Sequence, residues 1–325
     1  MAETKNIATM ASLISDDLFG EFLWERVGPT DTNWACEDHE RHKANTHPSD
    51  VVFFYDNPYS LTRTYINCDL KSYASGSITK GKITSAIESL ARSLSCAEKS
   101  GEWQKRFVHD HVNHEICGLL FVYNHDGVYD KDFRGILNDS KPKTLDIPKQ
   151  SKLVVLGPAD IFWLNNVSYE INRMRGKGLL PPREQCQFFY PNLVRRPNVQ
   201  PDQGRAATLE MLTSPWIILQ YLNPKEQRKS VLIFYRRRGE SAQEFLYLID
   251  YLMHYQLIQA DIDVHLRMLE TDVEAAAIFG KAKQEYTEEC ENSLEIKARL
   301  DAISFGNISE IHTKFSEIVI GMDYA

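Results

Sequence analysis

The feature that most constrains this 325-residue chain is a pair of apolar runs separated by turn-forming residues. Val51-Val52-Phe53-Phe54-Tyr55 and Arg63-Thr64-Tyr65-Ile66-Asn67-Cys68 are rich in β-branched and aromatic side chains, which suit a half-buried pleated surface. Asp56-Asn57-Pro58-Tyr59-Ser60 lies between them, and such residues pre-set or tolerate tight turns. The pattern predicts a β-hairpin folded between Tyr59 and Ser60. That register sets Asp50 opposite Asp69 at the open end, with Cβ atoms roughly 5 Å apart on one face. Strand alternation puts Lys71 on the same side as Asp69 and Leu70 on the other.

Two carboxylates and a lysine at a strand end suit phosphodiester hydrolysis. Mg²⁺ is a hard ion that takes one or two carboxylates and leaves places for water and phosphate. Mn²⁺ could substitute for it. Asp50 and Asp69 are the expected ligands, and the backbone carbonyl of Leu70 could add a third oxygen. The ion would polarise the phosphoryl oxygen and acidify the attacking water. Lys71 would orient that water or stabilise charge developing on the phosphate.

These residues, in this order, resemble the PD-(D/E)xK nuclease superfamily. Its core runs helix, strands carrying Asp and Asp/Glu-x-Lys, helix, strand. Here an amphipathic helix is expected over about 11–27 (Leu13, Leu18, Phe22, Val27). The hairpin of 50–72 follows, then a helix of 80–98 with Ile83, Ile87, Leu90 and Leu94 at helical spacing, then a strand of 115–123. The resemblance implies a restriction-endonuclease-like α/β fold, a mixed sheet flanked by helices, over roughly the first 125 residues. It also implies a further acid on the first helix. Glu21 is the candidate for catalysis and metal binding, with Glu25 four residues on. Products with 5′-phosphate and 3′-hydroxyl ends are implied too. The long hairpin and the extra C-terminal half resemble nuclease subunits of bacterial anti-phage defence systems, which commonly work with a second protein. A second protein subunit or a homo-oligomer is the partner expected on that ground.

A nuclease core of 1–140 and a second α/β region of 151–325 are expected, divided near Lys141-Pro142-Lys143 and Pro148. The second region reads as strand 152–156, helix 159–175, short strand 188–190, strand 230–235, helix 241–257 and strand 263–267. This suggests a ferredoxin-like sandwich, followed by an acidic helical stretch over 271–304. The net charge of −8 is unevenly spread. Residues 151–238 hold 14 Lys/Arg against 6 Asp/Glu, a net +8, whereas 239–325 hold 6 against 17, a net −11. A basic patch outweighs whole-chain charge for phosphate binding. Arg195, Arg196, Arg236, Arg237 and Arg238 are therefore the expected DNA contacts, with the acidic segment as a competing partner. No apolar run is long enough to span a bilayer, and the N-terminus lacks a signal pattern. Six cysteines without a paired framework fit a reducing cytoplasm.

Two other motifs compete. Gly76-Ser77-Ile78-Thr79-Lys80-Gly81-Lys82-Ile83 nearly matches a P-loop, but Ile83 stands where a Mg²⁺-ligating hydroxyl is needed. A capped helix start explains it better. Cys36, His39, His42 and His47, with His109, His111, His114 and Cys117 further on, could suit Zn²⁺. The absence of any Cys-x-x-Cys favours reading them as loop histidines. The reading is a cytoplasmic, Mg²⁺-dependent DNA endonuclease in anti-phage defence. The alternative is a non-catalytic subunit that keeps the fold and binds DNA or a protein partner.

Overall fold

A computed structural model describes residues 17–60, 62–109, 113–140, 145, 147–191 and 204–309, and they divide into two units. The first holds residues 17–165 and 204–210. It opens with helix α1 at residues 17–21, followed by strand β1 (Glu25–Val27). The expected helix of 11–27 therefore ends at residue 21, and its residues 11–16 lie outside the described ones. Leu23 takes a left-handed φ of 63°, which helices do not continue through, and Val27 pairs with Val52 instead. A separate two-stranded ribbon comes next, β2 (Thr32–Ala35) and β3 (Thr46–Ser49), with the one-turn helix α2 (His39–His42) between them.

The hairpin then forms as expected. β4 (Val51–Asp56) pairs antiparallel with β5 (Arg63–Tyr73), Val51 facing Cys68 and Asp56 facing Arg63. Helix α3 (Lys80–Ala97) crosses to β6 (His114–Asn124), which lies parallel to β5. Thr79 caps α3 by accepting from the Lys82 backbone N–H, so the near P-loop is a helix start. Gly118 of β6 lets α3 approach closely, since a Cβ there would lie 2.7 Å from Leu94. Helices α4 (Gly101–Phe107) and α5 (Phe133–Asp139) follow from segments without a clear sequence signal. β7 (Leu153–Leu156) closes the sheet beside β6. This strand, expected in the second region, thus finds its partner in the first. The sheet order is β1-β4-β5-β6-β7.

One face of this sheet packs Val52, Tyr65, Ile116, Leu120 and Val122 against Ile83, Ile87, Leu90 and Leu94 of α3. The other face carries rings: Phe19 lies 5.3 Å from Phe53 and 6.1 Å from Phe121, and Trp24 lies 5.6 Å from Tyr55. The segment 204–210 covers these rings. The Trp24 indole donates to the Ala207 carbonyl at 2.6 Å, and the Leu209 N–H donates to the Tyr55 hydroxyl at 3.2 Å.

The second unit holds residues 166–191 and 211–309. Helix α6 (Pro158–Gly176) has residues in both units. The strands are β8 (Gln187–Phe188), β9 (Trp216–Leu222), β10 (Lys229–Tyr235), β11 (Ile262–Met268) and β12 (Ser304–Asn307), adjacent in that order. β8, β9 and β10 are antiparallel neighbours, while β11 and β12 continue the sheet in parallel. Helix α7 (Ala242–His254) links β10 to β11, and α8 (Ala275–Glu289) and α9 (Leu294–Asp301) link β11 to β12. This corrects the ferredoxin-like expectation. The apolar run Trp216–Leu222 forms a hairpin with β10 through Asn223-Pro224, and the acidic tail supplies a fifth strand. The fold class is mixed α/β, with mixed sheets flanked by helices. Among the described residues no helix is long and apolar enough to cross a membrane.

Candidate active site

Asp50 sits between β3 and β4, one residue before the Val51–Cys68 rung. Its Oδ2 accepts the Leu70 backbone N–H at 2.6 Å. Alternate residues of β5 face α3: Tyr65 joins its core, and the Asn67 amide donates to the Ser93 hydroxyl of α3 at 3.0 Å. Asp69 and Lys71 fall on that same face. On β4 the α3-facing positions are Val52 and Phe54, so alternation puts Asp50 there too. Asp50 and Asp69 line one narrow cleft with Pro48, Cys68, Ser89, Leu90 and Ser93. The Lys71 ammonium pairs with Asp69 Oδ1.

Asp69 is only 7% exposed. Burial first, and the Asp69 charge second, push the Asp50 carboxyl up to about 6, against the Leu70 N–H and Lys71, which favour its ionised form. Burial works against the Lys71 ammonium, but the Asp69 and Asp50 carboxylates outweigh it and hold its pKa above the ordinary lysine value. Lys71 is therefore held as a cation at neutral pH.

This donor set fits a hard divalent cation. Two carboxylates crowd one cleft, and the single ammonium is engaged with one of them. The Leu70 N–H points to Asp50. The N–H and C=O of a strand residue face the same neighbour, so the Leu70 carbonyl is directed to the same side.

Glu21 is buried, but its helix α1 packs through Phe19 on Phe53 and Phe121, the sheet face away from Asp50 and Asp69. Glu25 opens β1 opposite Phe54 and is exposed, so it shares no helix face with Glu21. Arg236 follows β10 half-buried, its N–H on the Pro215 carbonyl at 2.9 Å. Arg237 and Arg238 are exposed, Arg238 lying 3.5 Å from Glu240. Arg195 and Arg196 lie outside the described residues. Sequence reasoning missed Asn67, Ser89 and Ser93. The signal was available: two hydroxyls four apart interrupt the apolar stripe of α3.

Residues 1–160 match the family model of the GAPS4 protein PD-(D/E)XK nuclease domain. This region of the chain is similar to that nuclease domain, and the match supports a nuclease-type function and implies interaction with nucleic acid. Divalent metal ions are typical of such nucleases. No curated protein matches the chain.

Proposed function

From a PD-(D/E)xK domain built in this way, we propose a Mg²⁺-dependent endonuclease that hydrolyses DNA phosphodiester bonds in anti-phage defence, together with a second protein subunit or a further copy of itself. The observation that supports it is the convergence of Asp50, Asp69 and Lys71 on one cleft at the open end of a hairpin. Asp50, Asp69 and the Leu70 carbonyl are the residues that would hold the ion. When bound, the ion supplies Lewis acidity toward the phosphoryl oxygen and a lower pKa for the attacking water. Asp50 must give up its proton to bind it, which couples binding to pH. Lys71, charged and anchored on Asp69, offers its remaining N–H groups to the oxygen on which negative charge develops. Glu21 is the weakest member of the proposed set because of its place on α1. Arg236, Arg237 and Arg238, with Arg195 and Arg196, are proposed to track the phosphate backbone.

The test is cleavage of supercoiled plasmid and of RNA by the purified full chain in Mg²⁺ and in Mn²⁺, with Lys71→Ala and Asp69→Ala beside it. The reading expects metal-dependent nicking of DNA by the parent and its loss in both folded variants and in EDTA. Equal cutting by parent and variants, unaffected by EDTA, would sink it. Preference for RNA would correct the substrate.

A further inference from the structure

We propose that Cys36, His42, His47 and Cys96 form a structural zinc site that pins the β2–β3 ribbon to helix α3. Three of these residues belong to the Cys/His cluster noted in the sequence and read there as loop histidines. The fourth, Cys96, lies sixty residues away in the chain and is brought in by the last turn of α3.

All four side chains are buried, with relative exposures of 2% for Cys36, 5% for His42, 3% for His47 and 1% for Cys96. One ligating atom from each lies within 4.8 Å of the other three. The Cys36 and Cys96 sulfurs are 3.9 Å apart, and Cys36 Sγ is 3.3 Å from His42 Nδ1. Tetrahedral zinc with its usual bond lengths separates two sulfurs by about 3.8 Å and a sulfur from a nitrogen by about 3.5 Å. A disulfide needs sulfurs about 2.05 Å apart, so the observed spacing is that of two ligands, not of a bond.

The surroundings fit a metal as well. His47 Nε2 is buried without a hydrogen-bond partner, a costly state for a polar atom unless something coordinates it. The Glu37 backbone N–H donates to Cys96 Sγ at 3.0 Å. Thiol sulfur is a weak acceptor, whereas a zinc-bound thiolate carries charge that such a donor stabilises. Two thiolates and two neutral imidazoles also cancel the charge of one Zn²⁺, so the assembled centre can be buried at little electrostatic cost. Soft thiolate and imidazole donors select zinc, while the carboxylate pair at Asp50 and Asp69 suits a hard ion. The two centres thus differ in kind, and the zinc assignment stands or falls separately from the nuclease reading.

The site also ties the ribbon to the wall of the cleft. Among the described residues β2 and β3 make ladder bonds only with each other, and packing of Trp34 and the Trp103–Ser49 hydrogen bond hold the ribbon's other end. His47 is three residues before Asp50, and Cys96 shares α3 with Ser89 and Ser93 of the cleft. The zinc would hold together the strand that delivers Asp50 and the helix that walls the cleft.

The experiment is elemental analysis of the full chain, purified in reductant from zinc-supplemented culture and stripped of loose metal. The expected content is about one zinc per chain, as four ligands from one protomer require. Cys68→Ser and Cys117→Ser, which alter buried cysteines outside the cluster, should keep it. Cys96→Ser and His47→Ala should lose at least nine-tenths of it. Should those variants fail to fold, cobalt exchange of the wild-type protein decides. A thiolate-to-cobalt charge-transfer band with tetrahedral ligand-field bands supports the site. Folded wild-type protein that carries no zinc and gives no such band overturns it. So does a Cys36–Cys96 disulfide found by mass spectrometry of the freshly purified chain.

Discussion

The two units share one frame and fill it differently. In each, two antiparallel neighbours are followed by two parallel ones, and a helix crosses from the third strand to the fourth. Counted outward from the middle of each central hairpin, the rung that carries Asp50 and Asp69 in the first sheet carries Trp216 and Tyr235 in the second. Arg237 takes the place of Lys71. In both sheets this rung faces the crossover helix: Asn67 reaches α3, and the Tyr235 ring lies 5.7 Å from Phe245 of α7. The outcomes are opposite. The first rung crowds two carboxylates and drives Asp50 toward neutrality. The second stacks two rings at 6.3 Å and 21°, burying apolar surface and offering no carboxylate to a hard ion. The same strand geometry carries paired carboxylates in one unit and stacked rings in the other.

The largest effect that could break this comparison is catalytic. Asp69→Ala should lower metal-dependent cleavage by about 10²–10³-fold or more, the scale for losing one electrostatic group from such a site. Tyr235→Phe, on the matching rung of the second sheet, should leave the rate within about twofold. Comparable losses from both, in a plasmid-nicking assay, would mean that the second rung takes part in the chemistry.

Next comes pH. The folded pKa of Asp50 is raised, so the neutral form is the one the fold favours. Its contribution is fully present below the unfolded pKa near 4 and is lost as pH rises through about 6. Metal-free protein should therefore lose stability on the order of 2 kcal/mol from this group between pH 4 and pH 7. Asp50→Asn should flatten that loss in melts across the range, and Mg²⁺ should restore more stability at pH 7.5 than at pH 5. A parent and variant with parallel pH profiles would show that the first rung carries no electrostatic strain.

A similar magnitude with no pH dependence is expected of the second rung. Trp216→Ala should cost about 2 kcal/mol, less than a fully buried ring because Trp216 is partly exposed. Urea unfolding at pH 5 and pH 8 would measure it, and a loss that varied with pH would contradict the packing account.

The smallest effect is a slope. Changing Arg236, Arg237 and Arg238 to Ala should flatten the salt dependence of DNA binding by about 0.9 for each phosphate that these side chains neutralise. Titration against salt with Ca²⁺ blocking cleavage would give it. An unchanged slope would move the DNA-binding surface to the first unit.

Much of the first sheet could be read from the chain because its determinants are local. Alternation and a turn between Tyr59 and Ser60 fix the register of β4 and β5, and with it the meeting of Asp50 and Asp69. Thr79 and the stripe from Ile83 to Leu94 fix α3. What escaped depends on neighbours distant in sequence. Cys96 meets Cys36 across sixty residues of chain, through the packing of α3 on the sheet. Thr46-His47-Pro48-Ser49 has no strand-like pattern and becomes one by pairing with Thr32–Ala35. In Trp216–Leu222 an almost continuous apolar run carries no period that separates strand from helix, and its partner across Asn223-Pro224 supplies the answer.

Segment 204–210 gives the first unit a schedule as well as a surface. Ala207 and Leu209 meet Trp24 and Tyr55, yet some fifty residues separate them from β7, the last strand of that sheet. At synthesis rates of about 5–20 residues per second, several seconds pass between emergence of the sheet and arrival of its cover. During that interval the Trp24 indole N–H and the Tyr55 hydroxyl lack their bonds to Ala207 and Leu209, and a nascent chain stopped near residue 160 would keep them so. A fragment cut at the edge of the family match would lack the same two bonds. Expression of the first unit by itself therefore calls for a chain that runs past Glu210.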